Sequence, residues 1–216
     1  MPTSTKRAAA IGRAVQLLVV IGQFTAAGCS RLDSDSPRAR QQRLVATSAS
    51  AVRLLDLDDK PVNLQQVCKG SVHVVVFIRS DCPISNRMAP QIRELCQQFQ
   101  PQGVDFHLVY VDPHEKPEAI RTHLREYEYP CPALRDLEHT LAAQTEAEVT
   151  PEAVVFNSDW KITYRGRISD LFEDFGKMRD TPSKNDLRDA ITATLAGQPV
   201  TEPVTKAIGC YIRDLK

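Results

Sequence analysis

Apolar residues fall into two kinds of run along this chain, and their alternation predicts the fold. Val72-His73-Val74-Val75-Val76-Phe77-Ile78 is apolar throughout after His73, as in a strand covered on both faces. It stops at Ser80-Asp81-Cys82-Pro83. Beyond that point Ile84, Met88, Ile92, Leu95, Cys96 and Phe99 recur at helical spacing, and Gly103 ends the segment. Residues 104–111 form a second buried strand. Residues 117–127 read as a helix, 131–134 as a short extended piece and 137–147 as another helix. A strand over 153–156 turns at Asn157-Ser158-Asp159 and returns over 161–165, with Trp160 covering the sheet edge. A last helix spans 184–196 and ends at Gly197. Ahead of these elements, residues 52–57 and 62–64 read as two short strands joined at Asp58-Asp59-Lys60-Pro61. Strands alternating with helices, a closing hairpin and a final helix define an α/β three-layer sandwich, a central mixed β-sheet flanked by helices.

The first fifty residues follow a different pattern. Lys6, Arg7 and Arg13 precede a short apolar stretch over 14–24, then Ala26-Ala27-Gly28-Cys29. Residues 1–29 read as an export signal. Its end resembles the bacterial lipobox, with Ala26 where leucine is usual. That resemblance implies a lipid anchor at Cys29; an ordinary cleaved signal and a retained N-terminal anchor are the alternatives. All three place the domain in the bacterial cell envelope or periplasm, where disulfides persist. Residues 30–50 are polar and aperiodic, a flexible linker, and the folded domain occupies 51–216.

The 27 basic and 27 acidic residues balance, which removes the electrostatic reason to expect nucleic acid. None of the six cysteines lies in a C-x-x-C pair and the five histidines are scattered, so no closed metal site is expected, and no organic cofactor. With Cys29 lipidated, five thiols remain, too many by one to pair internally.

The chemistry expected of this chain centres on Cys82. A buried strand delivers it to the N-terminus of a helix, where unpaired N–H groups favour a thiolate. Pro83 suits the first helical position, which needs no N–H. Asp81 opposes activation; Arg79 and Arg87 are candidates to offset it, with ordinary surface charge as the alternative.

This order of elements, with Cys82 at the strand-to-helix junction and Val149-Thr150-Pro151-Glu152-Ala153 before a later strand, resembles the thioredoxin fold of the redoxin (AhpC/TSA, peroxiredoxin-like) family. In that fold a cis-proline faces the active cysteine, which the resemblance assigns to Pro151. Tyr164-Arg165-Gly166-Arg167-Ile168-Ser169-Asp170 resembles the YRGRIDD segment of a bacterial subgroup of these proteins. Ala196-Gly197-Gln198-Pro199-Val200 with Ile208-Gly209-Cys210-Tyr211-Ile212 resembles its tail. Three departures bear on activity. Ser85 replaces the second cysteine of C-x-x-C, which leaves a C-x-x-S site. Arg79 stands where peroxiredoxins carry threonine or serine, which favours disulfide exchange over peroxide reduction. Asn86 occupies the second cysteine position of the copper-chaperone relatives and argues against that activity.

The resemblance implies an exported thiol-dependent oxidoreductase acting on a protein or small-molecule disulfide, or on a peroxide, and reset by a thiol reductant. A resolving thiol must release Cys82. Cys210 is the first candidate, with a structural cysteine packing the tail as its alternative; Cys131 is the second candidate. Cys96 falls on the apolar helix face and reads as core, and Cys68 as structural or unpaired. A structural bridge among Cys68, Cys131 and Cys210 is a further alternative. Arg167 and Asp170 are candidates to stand beside Cys82 and stabilise an anion, against a loop salt bridge. The rival of a different class is a non-catalytic envelope-binding module whose cysteines are staples. Asp174-Phe175-Gly176 matches a kinase motif in letters only.

Overall fold

The computed structural model describes residues 52–212, so the expected export signal, Cys29 and the expected linker lie outside the described residues. The strands are β1 (Leu54–Leu55), β2 (Pro61–Val62), β3 (Val72–Ile78), β4 (Val104–Tyr110), β5 (Ala133–Arg135), β6 (Val149–Thr150), β7 (Glu152–Asn157), β8 (Ile162–Gly166), β9 (Phe172–Asp174), β10 (Lys177–Met178) and β11 (Cys210–Tyr211). The helices are α1 (Leu64–Val67), α2 (Pro83–Phe99), α3 (Pro117–Glu126), α4 (Thr140–Thr145) and α5 (Asp186–Leu195).

Seven strands form one mixed sheet in the order β2-β1-β5-β4-β3-β7-β8. β3, β4 and β5 run parallel, while β7 pairs antiparallel with β3 and β8 with β7. β3 lies inside the sheet between β4 and β7, with all seven residues buried. Alternation along it splits the core into two layers. Val72, Val74, Val76 and Ile78 face α2, α3 and α5, through Ile92, Ile120 and Leu187 among others. Val75 and Phe77 face α1 and α4, through Leu64 and Leu141.

The long elements fall where periodicity places them, and the differences have local causes. Leu64 does not continue a strand. It opens α1, because the Asn63 side chain accepts the Gln65 N–H at 2.9 Å and caps a helix. The pairs β6–β11 and β9–β10 escaped sequence reading because two or three residues carry no period. Phe175 and Gly176 lie at the β9–β10 turn, Phe175 exposed and Gly176 at φ +73°. Trp160 stacks on His73 with ring centroids 4.2 Å apart and covers that end of the sheet as expected.

Candidate active site

Cys82 caps α2. Its backbone is extended, Pro83 begins the helix, and Sγ accepts the Ser85 N–H at 3.5 Å. Ile78 ends β3 four residues earlier, so a fully buried strand fixes the position of the thiol. Cys82 itself has no exposed surface. The first turn of α2 is held from outside: Asn86 Nδ2 donates to the Ser80 carbonyl at 2.8 Å, and Asn86 Oδ1 lies 2.8 Å from His123 Nε2. His123 Nδ1 in turn meets the Tyr110 hydroxyl at 2.7 Å. This brace escaped sequence reading because Asn86 and His123 are separated by 37 residues.

The Thr150-Pro151 bond is cis, and the preceding carbonyl faces the thiol, with Cys82 Sγ donating to Thr150 O at 3.1 Å. Glu152, buried, accepts the N–H groups of Glu148 and Val149 at 2.8 and 3.2 Å and sets the approach to the proline. On the other side of Thr150 runs the tail. β11 pairs antiparallel with β6 and places Cys210 opposite Thr150, within hydrogen-bonding reach of Cys82. Cys82, Ser85, Pro151 and Cys210 therefore meet at one point.

Burial pushes the Cys82 thiol up. Hydrogen bonds to its anion from Cys210, from the Ser85 hydroxyl and amide and from Thr150 outweigh that, and the thiol lies below its ordinary value. The Ser85 hydroxyl is buried without a partner in full hydrogen-bond geometry, close enough to Sγ to favour the anion. Cys210 moves the opposite way. Burial and the neighbouring Cys82 anion push it up to about 12, against the pull of Arg79. The two thiols thus shift in opposite directions, Cys82 towards its anion and Cys210 away from it.

The Tyr164–Arg167 segment clasps this tail. The Arg165 N–H donates to Pro203 O at 2.9 Å, and the Arg165 carbonyl accepts the Thr205 N–H at 3.0 Å. Thr205 Oγ1 lies 2.6 Å from the Tyr164 hydroxyl and accepts the Arg167 N–H at 3.1 Å. Gly166, at φ +149°, leaves no room for a Cβ against the Thr205 backbone. At the far end of the tail a Cβ on Gly209 would overlap the Thr150 carbonyl and stand 3.2 Å from Pro151 N. Gly209→Ala is expected to lift β11 and to slow formation of a Cys82–Cys210 disulfide by roughly 10- to 100-fold, the usual cost of a misplaced reacting group. Timed quenching with mass mapping measures that rate; an unchanged rate shows that the close approach is dispensable.

The expectations for Cys131, Cys96, Arg167 and Asp170 are corrected. Cys131 is not a resolving thiol: it is bonded to Cys96, which makes Cys96 a disulfide partner rather than a plain core residue. Both are buried, at 4% and 0% exposure, because α2 packs against the chain entering β5. Among the described residues the free thiols are Cys68, Cys82 and Cys210. Arg167 is not directed at the thiol: Nε and Nη2 bind the two oxygens of Asp186 at 2.8 and 3.1 Å. Asp170 serves its own loop, accepting from the Ser183 and Lys184 amides at 2.7 and 2.8 Å. Arg79 pairs with Asp81 at 2.7 Å, and Arg87 is exposed on α2.

A helix-capping cysteine at the end of a central parallel strand, faced by a cis-proline, defines a thioredoxin-fold redoxin. The chain belongs to the AhpC/TSA family, whose model matches residues 45–167, more than half of its length. It is similar to an uncharacterized conserved protein from Geobacillus kaustophilus, with 28% identity, a TM-score of 0.68 and coverage of 78% of this chain and 90% of that one. A hypothetical protein from Sinorhizobium meliloti 1021 has 22% identity, the same TM-score, and coverage of 78% and 93%. A thioredoxin-like protein from Aeropyrum pernix, at 16% identity and a TM-score of 0.51, covers 72% and 93% and shares the fold. No curated protein matches the chain.

Proposed function

We propose that this chain is an exported, lipid-anchored thiol-disulfide oxidoreductase in which Cys82 is the nucleophile and Cys210 the resolving thiol. The observation that carries this reading is the convergence of Cys82, at the start of α2, and Cys210, on β11 opposite Thr150, beside the cis Pro151. The Cys82 thiolate attacks one sulfur of a substrate disulfide, and the other sulfur leaves and takes a proton. Cys82 is then neutral in a mixed disulfide, so the anion that held Cys210 protonated is gone. Arg79 still favours the Cys210 anion. Cys210 releases its proton and attacks Cys82 Sγ, expelling the second substrate sulfur as a thiol. Two electrons pass to the substrate, and an external thiol reductant resets the Cys82–Cys210 disulfide.

Peroxide reduction would use the same thiols through a sulfenate. It is the weaker reading because Asp186 engages Arg167 and Asp81 engages Arg79, so neither guanidinium is free to polarise a peroxide. Export and anchoring rest on the N-terminal sequence, and the non-catalytic module remains the rival.

The test adds one equivalent of a small disulfide, or of hydrogen peroxide, to the fully reduced protein, with mass mapping of the product. Rapid exchange ending in a Cys82–Cys210 disulfide, with slow peroxide consumption, is expected. Fast peroxide consumption would make the chain a peroxidase, and a sluggish Cys82 in both reactions would leave the binding module. Alkylation gives the pH signature. Because Cys82 is lowered, its labelling should reach half-maximum below the ordinary thiol range of about 8.5. Cys210→Ala removes a donor to the anion and should move that midpoint upward; an unmoved midpoint would contradict the pairing.

A further inference from the structure

At the other end of β3, a second group of donors converges. The parallel register of β3 and β4 places His73 beside Asp105 and Val75 beside His107. Alternation puts His73, Asp105 and His107 on one sheet face. The connection from α1 folds over that face and brings in Cys68. One donor atom from each of Cys68, His73 and Asp105 lies within 4.8 Å of the other two. His107 Nδ1 is 3.8 Å from the same sulfur.

His73 is only 4% exposed, and its buried Nδ1 has no hydrogen-bond partner although Asp105 Oδ2 stands 3.3 Å away. A buried ring nitrogen outside hydrogen-bond geometry and a carboxylate oxygen at this separation suit a cation between them. Donors about 2.0–2.1 Å from a tetrahedral zinc ion stand about 3.3 Å apart, the separation seen here. The surroundings orient the set. Asp105 Oδ2 accepts the N–H groups of Lys69 and Gly70 at 2.7 and 2.6 Å, and Trp160 stacks on the His73 ring.

We propose that Cys68, His73 and Asp105 bind a zinc-type divalent cation, with the fourth position open to His107. Thiolate, imidazole and carboxylate together are the donor set of zinc rather than of calcium or magnesium. Binding displaces the Cys68 proton to solvent and ties the α1–β3 connection to β3 and β4. His73 lies five residues, about 16 Å of strand, from the end of β3 that leads to Cys82. The cation therefore sits apart from the redox pair. It also masks Cys68, the one remaining free thiol among the described residues, from disulfide exchange.

The experiment titrates Co²⁺, then Zn²⁺, into the reduced, tag-free full chain. A thiolate-to-Co²⁺ charge-transfer band is expected, retained in Cys82→Ser and Cys210→Ser and absent from Cys68→Ser. Asp105→Asn should weaken binding at least 10- to 100-fold. Zn²⁺ at about a hundred times its dissociation constant should raise the melting midpoint by roughly 5–10 °C. In the unaltered chain it should also shield Cys68 from alkylation, a readout that needs no variant to fold. A band that survives Cys68→Ser, a band lost with Cys82→Ser, or Cys68 labelling at the same rate with and without Zn²⁺ would each overturn the proposal.

Discussion

Cys82→Ser is expected to cut disulfide exchange by about 1,000-fold or more, because the attacking sulfur is gone and no other described thiol occupies its position. Cys210→Ser should behave differently. Its first attack proceeds, because Ser85 and Thr150 still hold the Cys82 anion, but the second cannot. The chain then accumulates as a mixed disulfide between Cys82 and its substrate, visible by mass spectrometry under non-reducing conditions. The contrast separates nucleophile from resolver. If both variants merely slow the reaction to the same degree, with no trapped adduct, Cys210 is a packing residue. The burial of Cys82 adds a further expectation. Because the two-residue β11 pairing and the Ile212 N–H to Glu148 carbonyl bond lie over the site, the substrate meets the thiol only when the tail lifts, a small local opening.

Removing the Cys96–Cys131 bond, as Cys96→Ala with Cys131→Ala, should lower the free energy of unfolding by about 3–4 kcal/mol. That figure follows from closing a loop of 35 residues. The melting midpoint should fall by roughly 10 °C in calorimetry, while the alkylation rate of Cys82 stays as it was. The bond fastens α2, which carries Cys82 at its other end, to the chain entering β5. A loss below about 1 kcal/mol would mean that the packing of α2 holds that junction unaided. A marked change at Cys82 would mean that the bond positions the thiol as well as the helix.

Most of the fold was legible because its long elements carry strong periods. Seven consecutive buried residues in β3 and the apolar face of α2 need no partner to be recognised. The junction between them was legible too, since Cys82 and Pro83 have local reasons to sit at a helix start. Cys210 was readable only as a tail residue similar to those of a known subgroup. Its opposition to Thr150 depends on a two-residue strand whose partner lies 60 residues away in sequence. The pairing of Cys131 with Cys96 was missed for the same reason: spacing along the chain does not tell which thiols face each other once α2 and β5 are packed. Arg167 shows the converse error. A basic residue in a segment similar to a redox subgroup invited a role at the thiol, yet Asp186 at the start of α5 engages it.

The chain by itself determined what depends on near neighbours: the strand and helix periods, the cap at Cys82, and the proline that precedes β7. Hydrophobic burial at a fixed period acts through residues a few positions apart, so it is written in the order of the letters. The tertiary structure alone decided which thiols pair, which arginines are engaged, and that Cys68, His73 and Asp105 converge. Those outcomes follow from strand register and helix docking, which set Cys131 against Cys96 across 35 residues and His73 beside Asp105 on a neighbouring strand through the packing of the whole domain.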